Sequence, residues 1–184
     1  MVTQKTTREP AGSQPQSQGF SLIELLIVVA IILIIAALAI PNFLQAKIAA
    51  NQASAVSTVR TLNTASVSYF TTWSNGFPPT LATLGSAGAT PLCTGAMLID
   101  NSLATPPNRK SGYTLAYTPQ GPAIANPPAG CIAGYSSYLV TAVPIDVFTG
   151  TNSYCSDESF VLHFDVTGAP AATSAACDAL PVMQ

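Results

Sequence analysis

Residues 19–40 read GFSLIELLIVVAIILIIAALAI, an aliphatic run in which Ser21 and Glu24 are the only polar side chains. About 20 helical residues at roughly 1.5 Å each cross a bilayer core of roughly 30 Å, so this stretch has the length of a membrane helix. An ionised carboxylate in hydrocarbon costs at least a few kcal/mol, which makes such a residue a functional candidate that needs a partner. The segment therefore predicts a membrane helix that carries one costly charge, Glu24.

The residues before this run have a different composition. Residues 1–19 are polar, with Gln, Ser, Thr and Pro, and nothing in them could bury a core, so we interpret them as a leader outside the fold. Lys5 and Arg8 outnumber Glu9, which by the positive-inside rule keeps this end of the chain in the cytoplasm.

The overall composition limits the classes of protein that fit. The 184 residues suffice for one modest domain beside a membrane segment. Only 8% of them are charged, the formal net charge is −2, and the Lys and Arg residues are scattered along the chain. A nucleic-acid-binding surface needs clustered Lys and Arg, so the composition argues against nucleic acid as a partner.

A second helical pattern follows Pro41, which lacks a backbone donor and predicts a kink in a continuing helix. Between residues 42 and 74 apolar side chains recur at spacings of three and four, which predicts an amphipathic helix. Asn75-Gly76 ends this pattern and Pro78-Pro79 prevents its return. The predicted apolar stripe is Leu44, Ile48, Val56, Val59, Leu62, Tyr69 and Trp73, and the polar side chains expected elsewhere include Asn51, Gln52, Arg60 and Asn63.

The residues after this helix predict a small antiparallel sheet. The clearest strand candidate is 159–166, where alternate side chains are apolar, and two further candidates are 113–117 and 138–143, joined by a Pro/Gly/Ala-rich loop at 122–134. A three-stranded sheet leaves one apolar face uncovered, and the stripe of helix 42–74 is the expected cover. In the third strand the side chains predicted to share one face are Phe160, Leu162, Phe164 and Val166, opposite Val161, His163 and Asp165.

The predicted architecture is therefore α+β, with a long N-terminal helix, kinked at Pro41, packed on a small antiparallel sheet. Short helical turns are expected at 80–85 and 97–104, and an irregular end at 169–184. The expected divisions are a leader at 1–19, a membrane and assembly half of the helix at 20–41, an amphipathic half at 42–74, and a head at 75–184 made of a variable loop and the sheet.

All four cysteines, Cys93, Cys131, Cys155 and Cys177, follow the membrane segment. An even number in an exported domain predicts two disulfides. The absence of a C-x-x-C pair and the single histidine argue against a zinc site. The sequence allows three connectivities, of which we favour Cys93–Cys131 with Cys155–Cys177 because neighbours in sequence close the smaller loops.

The N-terminal pattern resembles the class III signal of type IV pilins and pseudopilins. The features that carry the resemblance are Gly19, the following Phe20, Glu24 as the fifth residue after the glycine, the aliphatic run and Pro41. The resemblance implies that a prepilin peptidase cuts between Gly19 and Phe20 and methylates the new amine of Phe20. It also implies that Glu24 and Pro41 belong to the half of the helix that directs assembly.

The same resemblance implies a structural role. The chain is expected to be a single-pass precursor in the inner (cytoplasmic) membrane, which an inner-membrane platform extracts and polymerises with copies of itself into an extracellular type IV pilus for motility, adhesion or uptake. A periplasmic pseudopilus of a type II secretion system is the alternative within the family. A membrane-tethered or secreted binding domain is the alternative outside it.

Two other interpretations of the N-terminal segment stay open. Ala37-Leu38-Ala39 resembles an ordinary signal-peptidase site, which would give a secreted chain that begins at Ile40. Glu24 could also lie near enough to the membrane interface to stay solvated.

No catalytic set is evident. His163 precedes Asp165 by two residues, but the sequence lacks the serine, phosphate-loop and dinucleotide motifs that would accompany an active site. Asp146 and Asp157-Glu158 could ligate calcium, although no calcium-loop spacing is present. We therefore expect no enzymatic activity, no cofactor and no metal.

Overall fold

The computed structural model describes residues 19–183, so most of the predicted leader lies outside the described residues. The chain divides into two compact units at the Pro41–Asn42 bond. The first helix, α1, runs over Leu22–Trp73 with Pro41 inside it. Proline lacks the backbone amide that would donate a helical hydrogen bond, yet α1 continues on both sides of Pro41. A kink at Pro41 stays a prediction.

The second unit contains a five-stranded antiparallel sheet in the order β1-β2-β3-β4-β5. Each strand pairs with its neighbour in sequence, so the sheet is a meander. The strands are β1 (Arg109–Lys110), β2 (Tyr113–Ala123), β3 (Tyr135–Pro144), β4 (Ser153–Asp157) and β5 (His163–Asp165), and the short helices are α2 (Leu81–Leu84), α3 (Asn101–Ala104) and α4 (Ser174–Asp178). The α+β architecture predicted from the sequence is confirmed, with five strands instead of three.

One face of α1 covers the sheet. The α1 residues that pack on the sheet recur at helical spacing, so they form one ridge that fits the apolar face of the meander. Leu44 and Ile48 were expected to belong to the same covered stripe, but Leu44 is exposed and Ile48 is only half-buried. The buried contacts join Val56, Val59, Leu62 and Tyr69 of α1 to Tyr113, Leu115, Tyr138, Val140 and Tyr154 of the sheet.

Asn63 was predicted to lie away from the covered face, and this prediction is wrong. Its side chain is only 3% exposed. Its Nδ2 donates to the Ser156 hydroxyl at 2.7 Å, and its Oδ1 accepts from the Tyr138 hydroxyl at 3.2 Å. A polar residue can lie inside a core when its hydrogen-bonding groups are paired, and here the pairing ties α1 to β3 and β4.

The strand predicted at 159–166 is also wrong. The Asp157 carboxylate accepts from the Ser159 amide at 2.9 Å, and Phe160 has a left-handed backbone with φ of 63°. These residues form a turn, and only His163–Asp165 pairs as a strand. The apolar alternation that suggested a strand therefore starts in a turn, where Phe160 and Val161 remain exposed.

Strand β4 gave no recognisable sequence signal because it is buried on both faces. Tyr154 belongs to the core beneath α1, and Ser156 bonds Asn63 there. Cys155 faces the opposite side, where it packs with Leu139 and Cys177. A strand covered on both faces does not show the alternation of apolar and polar residues that marks a half-exposed strand.

The remaining expectations differ mainly in length. Strands 113–117 and 138–143 are the centres of the longer β2 and β3, so the predicted loop at 122–134 is shorter than expected. The turns at 80–85 and 97–104 correspond to α2 and α3, capped by Thr80 and Asp100. The predicted irregular end contains α4, which is capped by Thr173.

Two disulfides are formed, Cys93–Cys131 and Cys155–Cys177, which is the pairing favoured from the sequence. The second disulfide fixes α4 against β4, and His163 adds a hydrogen bond of 2.8 Å between its Nδ1 and the Leu180 carbonyl. The C-terminal segment is therefore held to the sheet by a covalent bond and by side-chain contacts.

Replacing Asn63 with Ala should destabilise the head, because it leaves the buried Ser156 and Tyr138 hydroxyls without their partner. We expect the free energy of unfolding to fall by about 1–3 kcal/mol. The measurement is thermal or denaturant unfolding of the full chain in detergent. Thr64→Ala on the exposed face of the same helix is the control and should change stability by less than about 0.5 kcal/mol. Equal effects for the two variants would contradict the bridging role of Asn63.

Removing the disulfide with Cys155→Ala/Cys177→Ala should free the C-terminal segment. The closed loop spans 22 residues, and its entropy predicts a loss of about 3–4 kcal/mol. We expect carboxypeptidase to trim this variant back through α4 while the wild-type chain resists. Cys93→Ala/Cys131→Ala is the matched control, because it removes a disulfide of 38-residue separation that does not hold α4. Trimming of both variants to the same point would overturn the assignment.

Candidate processing and assembly site

The Gly19–Phe20 bond lies just outside the first turn of α1. The carbonyl of Ser21 accepts from the amides of Glu24 at 3.1 Å and Leu25 at 3.2 Å, so the helix begins immediately after Ser21. Both Gly19 and Phe20 are exposed and non-helical. A bond in this position is open to a peptidase without unwinding the helix.

Gly19 is not required by the packing of the chain that the structure describes. A Cβ placed on it would have no atom within 4 Å, and its φ is not in the left-handed region. Glycine is usually needed where the backbone is left-handed or where another group approaches closely. Since neither condition holds among residues 19–183, the structure leaves room for a larger residue at this position.

Glu24 lies in the first turn of α1 and is exposed. The positive end of the helix dipole favours a carboxylate there, by about 0.3–1 kcal/mol. Across residues 19–183, the Glu24 carboxylate has no hydrogen-bond or ion-pair partner. A further sequence signal for the start of the helix is Ser21-x-x-Glu24, which has the spacing of a helix capping box.

The surface that follows Glu24 is uncharged and apolar. Every large apolar side chain from Phe20 to Leu44 is exposed, and residues 25–46 contain no Asp, Glu, Lys or Arg. Helix α1 is the one helix between residues 19 and 183 that is long and apolar enough to cross a membrane. Exposed apolar surface on this scale indicates burial in lipid or against other chains.

The predicted site residues do not all come together. Gly19, Phe20 and Glu24 cluster at the start of α1, whereas Pro41 lies further along the helix and the four cysteines lie in the second unit. The first three residues therefore define the candidate processing and assembly site.

His163 and Asp165 do not form a catalytic pair. His163 is buried, and its Nε2 lies 3.7 Å from the Asp178 carboxylate. Asp165 instead accepts from the Thr167 amide at 2.7 Å. Both groups serve the folding of the C-terminal segment.

The acidic loop residues considered for calcium also have structural partners. Asp146 accepts from the amides of Phe148 and Thr149 at 2.8 and 2.9 Å, and Asp157 accepts from Ser159. Among residues 19–183, no three His, Cys, Asp or Glu side chains group as metal ligands do.

Burial raises the pKa values of the Tyr113 and Tyr138 phenols, so these core hydroxyls stay protonated and act as hydrogen-bond donors at neutral pH.

Residues 15–40 match the family model for the prokaryotic N-terminal methylation motif. The chain is also 50% identical over 56 residues to a protein of Myxococcus xanthus (strain DK1622) described as type IV major pilin protein PilA. This match spans 30% of the chain and 26% of the relative, about a quarter of that protein's length. No solved structure matches the chain significantly.

The matched motif contains the whole candidate site, and α1 with its antiparallel sheet is the α+β arrangement of type IV pilins. By its methylation motif, its identity to a major pilin over 56 residues and its fold, the chain is similar to type IV pilins.

Proposed function

We propose that this protein is the precursor of a filament subunit. It is inserted in the membrane through residues 20–41, cut between Gly19 and Phe20, methylated on the Phe20 amine and polymerised into a type IV pilus. Its partners are copies of itself, a prepilin peptidase and the assembly platform of the inner membrane. Its role is structural rather than enzymatic.

The observation that carries this proposal is Glu24, a carboxylate without a partner among residues 19–183, beside an exposed, uncharged surface. That surface extends from Leu25 to Ala46. Lipid can solvate the aliphatic side chains but offers the carboxylate no counter-charge, so a membrane anchor alone does not explain Glu24. A second group of opposite charge is needed wherever this surface is buried.

Cleavage after Gly19 creates such a group, the amine of Phe20. In an assembled fibre the Glu24 carboxylate of one subunit can pair with the Phe20 amine of its neighbour, and two charges that are costly alone then neutralise one another. This pairing favours one axial stagger between subunits, because any other stagger leaves both charges unpaired in an apolar environment. Glu24 thereby sets the register of assembly.

The family contains both surface pili and the shorter pseudopili of type II secretion systems. The two disulfides suit both products, because the periplasm and the exterior are both oxidising. The identity to a protein described as a major pilin favours a surface pilus as the product. Fibres sheared from the surface of cells at normal expression are the expected finding, and short structures confined to the periplasm would indicate a pseudopilus.

The mass and N-terminal sequence of the mature protein test its processing. After reduction, a chain that begins at Phe20 should be about 14 Da heavier than its sequence mass, from one methyl group. Reduction should add about 4 Da, two hydrogens for each of the two disulfides. A chain that begins at Ile40 would instead indicate ordinary secretion and would exclude assembly through Glu24.

Glu24→Ala should leave membrane insertion intact but prevent incorporation beside wild-type subunits. The variant leaves a neighbour's amine unpaired in an apolar contact, a loss of about 3–5 kcal/mol, or more than a hundredfold. The measurement compares the membrane-bound and fibre-bound amounts of tagged variant in cells that also make the wild-type chain.

Lys47→Ala is the matched control for this experiment. It also removes one exposed charge from α1, but from outside the uncharged surface, and it should enter fibres normally. Normal fibres that contain Glu24→Ala would refute the pairing mechanism.

A further inference from the structure

The turn between β3 and β4 presents two adjacent apolar side chains to solvent. Val147 is 70% exposed and Phe148 is 69% exposed. Polar residues and glycine usually occupy the tip of such a turn, because nothing covers it. Two large apolar side chains at this position therefore call for an explanation that lies outside the fold of the head.

The turn is held in one conformation by its own hydrogen bonds. Asp146 Oδ1 accepts from the amides of Phe148 and Thr149, while the Thr149 hydroxyl donates to the Asp146 carbonyl at 2.8 Å. The Gly150 amide adds a further bond to the Asp146 carbonyl at 3.2 Å. Because the backbone is already ordered, burying Val147 and Phe148 against a partner would cost little conformational entropy.

The base of the turn is fixed to α1. Asn51 Nδ2 donates to the Thr149 carbonyl at 3.0 Å, and Gln52 Nε2 donates to the Thr151 hydroxyl at 2.9 Å. Ile48 lies four residues before Gln52, and Leu44 lies one turn before Ile48, so all three occupy the same face of the helix. The turn is thus attached to α1 next to Ile48 and Leu44, two stripe residues that the sheet does not fully cover.

The groove beside the turn contains a single charged side chain. A shallow groove beside Val147 is lined by Pro144, Val166 and Gly168, and Asp146 is its charged residue. The Asp146 carboxylate is already occupied by the turn amides. A partner for this surface is therefore apolar and uncharged, which is the chemistry of residues 25–46 of α1.

From this geometry we infer that Val147 and Phe148 form a contact between subunits, in which the turn of one copy docks on the uncharged α1 surface of a second copy. We refer to residues 145–149 as the docking turn. The inference rests on the proposed polymerisation and extends it, because it adds a contact made by the head to the pairing of Glu24. The docking turn and Leu44 are both exposed apolar parts of the second unit.

The test uses the full chain in its own cells with Phe148→benzoylphenylalanine, which crosslinks to neighbouring C–H bonds under light. We expect dimers and higher ladders in the fibre fraction, with the crosslink mapped by mass spectrometry to residues 25–46 of a second copy. Leu92→benzoylphenylalanine is the control, because Leu92 is also exposed but its neighbour Cys93 bonds Tyr69, whereas the docking turn bonds Asn51, eighteen residues earlier in α1. Equal crosslinking of positions 92 and 148 to α1 would overturn the inference.

The outcomes separate this inference from the proposed function. Multisubunit assemblies of the wild-type chain without crosslinks from position 148 would overturn the docking turn and leave polymerisation standing. Crosslinks from position 148 to a second copy without surface fibres would support the docking turn and exclude a surface pilus. The absence of both assemblies and crosslinks would overturn both proposals.

The variant Val147→Ser/Phe148→Ser provides a second measurement. We expect fibre yield to fall about tenfold or more at an equal amount of membrane-bound precursor, since two apolar side chains leave the contact. Val161→Ser is the control. Val161 is an exposed apolar residue between β4 and β5, and its replacement should leave the yield unchanged. Both proteins should resist protease equally, because neither change touches the core, and an unchanged yield from the double variant would overturn the inference.

Discussion

The packing of one α1 face against the meander is the interaction on which the rest of the head depends. The sheet has an apolar face that its own strands cannot cover, and Val59, Leu62 and Tyr69 fill it from the helix. Asn63 adds direction to this contact, because its amide must meet both Tyr138 and Ser156 to be satisfied. Hydrophobic burial supplies the driving force, and the buried polar contact favours one rotation of α1 about its axis over other rotations.

The sequence was most informative where a physical pattern is long. The membrane-length run and the helical stripe through Val56 and Tyr69 repeat a local rule over enough residues to be recognised. The candidate site at Gly19, Phe20 and Glu24 was identified from the sequence for a related reason. A single charge within a long apolar run is conspicuous in the order of the amino acids alone, because its cost in hydrocarbon does not depend on how the head folds.

The parts that sequence reasoning missed are those that tertiary contacts decide. Strand β4 lacks alternation because Tyr154 and Cys155 are buried on opposite faces, against α1 and α4 respectively. Residues 159–166 alternate well, yet Asp157 captures the Ser159 amide and turns the chain before a strand can form. In both segments the outcome depends on a partner that is remote in sequence or on a local hydrogen bond, and neither enters a count of apolar residues.

The exposed face of α1 in the head is adapted to a chain with few charges. The hydroxyls of Thr61, Thr64 and Thr71 each donate to a backbone carbonyl four residues earlier. These side chains are polar and exposed to water, yet their hydroxyl hydrogens already donate to carbonyls within the helix. Burying such a face against another subunit costs less than burying free hydroxyls or charged groups, because few hydrogen bonds to water must be given up. Arg60 is the one charged residue of α1 between residues 48 and 73, so the exposed face there owes most of its polarity to hydroxyls.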